Sequence, residues 1–575
     1  MRTTYSALTL LAVATLFITT GCNPLNKMNK KHGLVKYTLQ PNPLEMHGDS
    51  VTINVSGRYP EKFFHKKAVA NVKPVMLDQS GNVVKEFETI KLIGEVAEGE
   101  GTRISWSGGS FNVSNQVPYE SSMENVQLVI QVEAGYKTKT KTFDPVPIGK
   151  GTVVTPLLVQ SDEKPMLGKD NFTKVSPRKI TAEIHYLIQS SYVRPEELRQ
   201  DDINAVEAFL DKGIKFEYEW KSVDVTSYAS PDGETSLNEN LAGDRAKTAT
   251  QAMMGLFRKK KIEAGTKEAL YKKNPKGEDW QGFKEKMEAS NIADKEMILR
   301  ILSMYSDDKK REQEIKNLAA TYKVIAEEIL PPLRRSVITI NAEEKAKTDE
   351  ELKKLVKENP AELTIEEILY TATLYNDLND KLEVYKAAAK VHPGDWRGPN
   401  NIGWVYVQQN KISEAKAEFE KAVKLAPSEK VVLNNLGVVS RLMGDTKTAM
   451  SYYTQAKGAG KEVNYNIGIV QIMKGNYEDA VSNMSGFNTF NAALANVLNG
   501  NNEAALNIIE ASDAKATALG YYLKAIIGAR TNNQEMVVNN LKAAFEKDSS
   551  LKKKAANDAE FLDYRDNSAV SSLWQ

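Results

Sequence analysis

The sequence predicts a multidomain chain: an N-terminal β-sandwich, a central α/β domain with a helical insertion, and a C-terminal α-solenoid. Three observations predict it. Between residues 36 and 170, apolar residues alternate with period two and Gly/Asn turns recur. From Ile180 the pattern becomes strand–helix–strand–helix. Beyond residue 345, motif residues return every 34 positions, as from Gly403 to Gly437 and from Pro393 to Pro427. The length of 575 residues accommodates about four domains, and 41% hydrophobic with 26% charged residues is the composition of a folded chain.

Composition also excludes several functions. Lys+Arg number 76 and Asp+Glu 75, so no global basic field draws nucleic acid. A single cysteine excludes a disulfide framework and any multi-thiolate metal site. The five histidines (His32, His47, His65, His185, His392) lack ligand spacing. No cofactor, metal site or catalytic residue is assigned. Walker, dinucleotide-binding, G-x-S-x-G and H-E-x-x-H motifs are all missing. Carboxylate pairs such as Asp201/Asp202 and Asp307/Asp308 lie in charged helical or loop segments and read as solvated faces. The chain is therefore expected not to be an enzyme.

In the first segment, Arg2 supplies a positive charge and Ala7–Ile18 an apolar run too short to span a bilayer. Gly21-Cys22 follows. This resembles a bacterial lipoprotein signal, with Thr19 where that family usually has Leu. The resemblance implies a signal peptide over 1–21, acylation of Cys22, and anchorage of the chain to the outer membrane. Residues 22–35, polar and Lys-containing, read as a flexible tether. They carry no acid after Cys22, unlike surface-exported lipoproteins, so the periplasmic face is expected.

Residues 36–170 are the predicted β-sandwich. Val51, Ile53 and Val55 alternate, as do Val126, Leu128, Ile130 and Val132, between turns such as Ser80-Gly81-Asn82 and Ser107-Gly108-Gly109. No chemical constellation occurs here. Trp106 and Phe111 read as packing residues before they read as a ligand-stacking patch.

In the α/β region, VDVTSYASPDGETSLNENLAGDRAKTAT resembles the OmpA-like (peptidoglycan-associating) C-terminal domain family, here spanning 178–342 with a helical insertion at 259–332. Gly233, Asn238, Leu241, Arg245 and Ala246 fall in the family register, and Leu333-Arg334-Arg335-Ser336 resembles its final strand. The sequence departs at Ser227 and Ala242, and above all at Ser230, where the ligand-binding Asp usually sits; Asp232 is the candidate substitute. The resemblance implies binding of the diaminopimelate side chain of peptidoglycan by Arg245, Ser230, Asp232, Gly233 and Asn238. The chemistry is consistent: a guanidinium clamps a carboxylate, and turn amides add donors. The basic clusters Arg258–Lys261 and Lys272-Lys273 read as solvated helix ends.

The 34-residue period is that of tetratricopeptide repeats, expected over 345–560 with a tail at 561–575. Small residues (Gly403, Ala415, Ala422) let helices approach and large ones (Tyr406, Phe419, Tyr453) fill between them. Asn400, Asn401, Asn434, Asn435 and Asn466 are the candidates for holding a partner's backbone in the concave groove. The expected whole, a Bacteroidetes-type envelope lipoprotein, tethers outer membrane to peptidoglycan and scaffolds an unidentified protein. Its rivals are an interaction scaffold with a decayed wall site and a wall-modifying enzyme with its site in the β region.

Overall fold

A computed structural model describes residues 24–574; Cys22 and the predicted signal segment lie outside them. The chain forms two compact units: one holds the residues up to Gly168 together with those from His392 on, the other Lys169–Val391.

In the first unit, alternating burial along Ser50–Tyr59 and Gln127–Tyr136 seats two sheets face to face. One sheet runs Lys36–Gln40, Ser50–Tyr59, Leu44–His47, Thr152–Val153, with Gly109–Pro118 also on Ser50–Tyr59. The other is centred on Gln127–Tyr136, Val69–Leu77 and Ile90–Gly94. Val51, Ile53 and Val55 share a core with Val72, Ile130 and Val132. Phe111 belongs to that core, while Trp106 sits on a turn, 45% exposed. The expected tether is corrected: Pro24–Lys30 is a helix, followed by a short turn at His32–Leu34. Leu25 and Met28, one turn apart, bury in the sandwich core. Two apolar anchors among lysines and asparagines were too few to register as a folded element.

The repeats of the same unit are helix pairs, beginning with Arg397–Gln408 and Ile412–Leu425, then Lys430–Leu442 and Thr446–Ala456. A Cβ on Gly403 would lie 2.6 Å from the Phe419 ring, and one on Gly437 2.5 Å from Tyr453. The small–large pairing therefore sets helix spacing. The expected 561–575 tail is corrected as well, because Phe561 and Val570 lie in the repeat core with Trp574 packed on it. The array and the sandwich are joined near the C-terminus. Asn125 donates to Asn557 at 3.0 Å, and Thr155 donates to Glu560, which Arg530 also holds.

Beside that seam, buried Asp558 accepts from Tyr522 Oη at 2.6 Å. Burial pushes its carboxyl up to about 6 from the ordinary 3.8. The folded state thus holds the proton more tightly than the unfolded state does. The stabilisation is full below about pH 4 and is lost as pH rises through about 6. Asp558→Asn, which removes the buried charge, should stabilise the chain by about 1–3 kcal/mol at neutral pH and have little effect near pH 4. Thermal melts at the two pH values check this; equal shifts at both would contradict it.

The second unit contains a four-stranded sheet in the order Val175–His185, Arg335–Lys345, Glu219–Ala229, Tyr271–Glu278. The first three are antiparallel neighbours, and Tyr271–Glu278 lies parallel to Glu219–Ala229. Helices Asp201–Lys215 and Thr235–Lys259 cover it, placing Ile203, Val206, Ala249 and Met253 on Ile184, Val223, Val225 and Ile338. The expected 259–332 insertion is shortened, since Tyr271–Glu278 belongs to the sheet. As an edge strand it buries only Tyr271 and Gly277 and tolerates Pro275, so it shows no alternating pattern. The remaining insertion, from Trp280 on, packs its helices around Phe283, Met287, Ile298 and Ile325. The single array expected over 345–560 is divided too: helices Asp349–Glu358, Ile365–Thr373 and Leu378–Val391 belong to this second unit.

Candidate functional site

Strand Glu219–Ala229 ends in the turn 230–233, from which helix Thr235–Lys259 departs. This turn brings Ser230, Asp232, Gly233, Asn238 and Arg245 to one hollow of about 600 Å³. Arg245 forms its inner wall and is 1% exposed. Its Nε donates to Ser190 O at 3.0 Å, Nη1 to Tyr228 O at 2.8 Å and Nη2 to Leu187 O at 3.3 Å. Its guanidinium lies 5.0 Å from the Tyr186 ring. Burial pulls its pKa down to about 10, so it stays charged at neutral pH. Three of its five N–H donors therefore serve backbone carbonyls.

Asp232, the candidate ammonium acceptor, is engaged. Its carboxylate accepts from Ser230 Oγ at 2.6 Å and from Arg334 Nη2 at 3.1 Å. Arg334 Nε also donates to Ser230 Oγ at 3.0 Å. Asn238 is buried and donates to Ser230 O and to Glu278 Oε1; burial raises the Glu278 carboxyl. Asn238 and Ser230 thus shape the turn. The rim carries Glu234 and Asp244, both exposed, beside Leu237 and Asn240. The helix N-terminus at Thr235 has no side-chain cap, which leaves first-turn amides for an anion. The hollow therefore has buried Arg245 within and Glu234 at the rim, where Asp244 is paired with Lys247 at 2.9 Å.

Reading the sequence missed the parts played by Arg334, Glu278 and the rim acids. The Arg334-Arg335 pair was the visible signal for the first. Glu278 ends an unrecognised edge strand, and exposed helical acids look like solvated surface.

In the first unit, the five groove asparagines are nearly fully buried, and the backbone they hold is the chain's own. The segment after Leu158 runs extended past them. Asn435 accepts from Met166 N and donates to Met166 O, both at 2.7 Å. Asn466 brackets Lys164 in the same way, and Asn401 brackets Gly168. Asn400 and Asn434 donate to Met166 O and Lys164 O and join the asparagines to one another. Buried Glu163 pairs with Arg441, and burial raises its carboxyl even so. The partner-binding assignment of Asn400, Asn401, Asn434, Asn435 and Asn466 is corrected accordingly: their amides staple residues 160–168 into the array. The β domain likewise gives up these residues, which 36–170 had included. Asn491 does the same for Gln160 and was missed, because Ala493 stands where the other units have Gly. A hollow of about 790 Å³ stays open beside the segment, lined by Asp162, Thr489, Phe490 and Leu519 among others.

The tetratricopeptide repeat family matches residues 400–429. No curated protein matches the chain. Solved structures similar to it include a tetratricopeptide repeat protein from Parabacteroides merdae, at 18% identity over 36% of this chain and 90% of that one, TM-score 0.28. YrrB, a TPR protein with an unusual peptide-binding site, is 21% identical over 36% of this chain and 100% of its own, TM-score 0.22. PilF of Pseudomonas aeruginosa is 14% identical over 38% and 99%, TM-score 0.27. The chain thus carries a tetratricopeptide repeat at residues 400–429, in a unit that also holds the β-sandwich.

Proposed function

We propose that the chain is an outer-membrane lipoprotein, acylated at Cys22, that tethers to peptidoglycan through an OmpA-like domain over 178–342 and scaffolds a protein partner through its repeats. The observation that carries the tether is the hollow at the head of helix Thr235–Lys259: buried Arg245 within, Glu234 and Asp244 at the rim. A diaminopimelate side chain ends in a carboxylate and an ammonium, which suit these two places. The turn arrangement supports the family resemblance even with Ser230 at the Asp position, because Arg334 and Asp232 complete it. The partner takes the part of the repeat groove that the chain's own segment leaves open, beside Phe490 and Leu519.

Asn240 lines the hollow and is exposed. Asn240→Trp should fill the hollow without touching the Arg245 bonds. Sedimentation with purified sacculi should carry down the wild type and lose at least tenfold with Asn240→Trp. A second reading, a scaffold whose wall site has decayed, draws on the engagement of Asp232 by Arg334. Absence of the wild type from the pellet would establish that reading.

A further inference from the structure

One end of the β-sandwich gathers lysines from three separate elements. Helix Pro24–Lys30 and the residue after it present Lys27, Lys30 and Lys31. The connection after Tyr59 presents Lys62, Lys66 and Lys67, and the turn following Tyr136 presents Lys137 and Lys139. Contacts place them together. Lys31 Nζ reaches Lys62 O at 3.4 Å, Lys141 Nζ donates to Asn26 Oδ1 at 3.1 Å, and the His65 and Tyr136 rings meet edge-on at 4.8 Å. The sheet registers agree, with Lys36 opposite Arg58 and Val69 opposite Gly135.

Residues 24–37 and 136–142 hold seven lysines and no acid. Glu61 pairs with Lys62 at 3.5 Å, Glu95 accepts from the Trp106 backbone at 3.5 Å, and Asp144 acts on His32, so three acids lie beside the more numerous lysines. Two large apolar side chains stand exposed at the same end: Leu34 at 61% and Trp106 at 45%, its carbonyl accepting from Lys62 N. Lysines around an exposed tryptophan and leucine match the interfacial zone of a bilayer.

We infer that this lysine-rich end of the sandwich rests on an anionic phospholipid surface. The inference rests on the Cys22 anchor in one respect. Pro24 is two residues from Cys22, a reach of about 7 Å at most, and its helix is docked rather than free. An acyl chain there brings this end, and no other, against the headgroups. Anchor and lysines then supply the two signals that stable membrane attachment needs.

The test separates the two. The processed full-length chain carrying Cys22→Ser, which cannot be acylated, is mixed with vesicles of phosphatidylcholine with or without phosphatidylglycerol. Binding to the anionic vesicles alone, weakening as salt shortens the screening length, is expected. Each lysine lost near such a surface weakens binding about fivefold. The triple charge reversal Lys66→Glu, Lys67→Glu, Lys139→Glu should therefore reduce it by a hundredfold or more while leaving the melting temperature in place. No binding to anionic vesicles, equal binding by the triple variant, or preference for a soluble acidic polysaccharide over vesicles would overturn the inference. Palmitate labelling of the wild type scores the anchor separately: an unlabelled chain that still binds anionic vesicles overturns the anchor and leaves the lysine face standing.

Discussion

Asn435→Ala should destabilise the repeat-bearing unit by about 3–5 kcal/mol, a large effect for a side chain that sequence alone assigns to ligand binding. Asn435 is wholly buried and makes four hydrogen bonds: two with the Met166 backbone, one to Asn400 Oδ1 and one from Asn434 Nδ2. Alanine leaves Met166 N–H and Asn400 Oδ1 without their side-chain partner at a buried position, at about 1–3 kcal/mol each, and leaves a cavity besides. The segment 160–168 should then come loose before the helices do. Urea unfolding and limited proteolysis measure both effects, with new cleavage expected near Lys164. A loss below about 1 kcal/mol, with the segment still protected, would show that the ladder is dispensable.

Arg245→Met should cost the second unit a similar amount, about 3–5 kcal/mol. Methionine fills much of the volume but takes the guanidinium donors from the carbonyls of Ser190 and Tyr228, and leaves Leu187 O with the Ser190 N–H. Arg245→Lys should lose less, because one ammonium satisfies part of the set but cannot span three carbonyls in a plane. An unchanged melting temperature for Arg245→Met would contradict this. The consequence for function is practical. Loss of sacculus binding by an Arg245 variant would report misfolding as readily as a missing ligand contact, and Asn240→Trp is the cleaner probe.

Much of the fold was legible because its signals are periodic. Gly403 and Phe419, read as a small–large pair from a 34-residue repeat, meet as such. Ile184, Val223 and Val225 share the core of the α/β sheet, on the two strands that the pattern from Ile180 predicted. What escaped has no period. Tyr271–Glu278 pairs on one side only and shows water a polar sequence. The segment 160–168 is extended without a sheet, and its hydrogen bonds go to asparagines some 230 to 330 residues away. The asparagines were read as holders of a partner's backbone, and the backbone they hold is the chain's own. Nothing local in a repeat says whose backbone it is. At the hollow, the turn and the arginine were visible through the family register. The rim acids Glu234 and Asp244 were not, since an exposed acid on a helix carries no mark of its neighbours.

The staple also bears on where a partner docks. A ligand entering the groove at Asn400–Asn466 would have to displace a covalently attached competitor, whose effective concentration is about millimolar or higher. The free hollow beside Phe490 involves no such competition.

The central claim is that the Arg245 hollow recognises the carboxylate end of a wall peptide. Its most direct test is calorimetric titration of the wild-type chain with two muropeptides, identical except that one carries diaminopimelate and the other lysine. The lysine form keeps the ammonium and lacks the carboxylate. A charge-assisted bond of about 1.5–3 kcal/mol predicts that the diaminopimelate form binds about tenfold to a hundredfold more tightly. Equal affinity for the two, or no binding of either, would contradict the account.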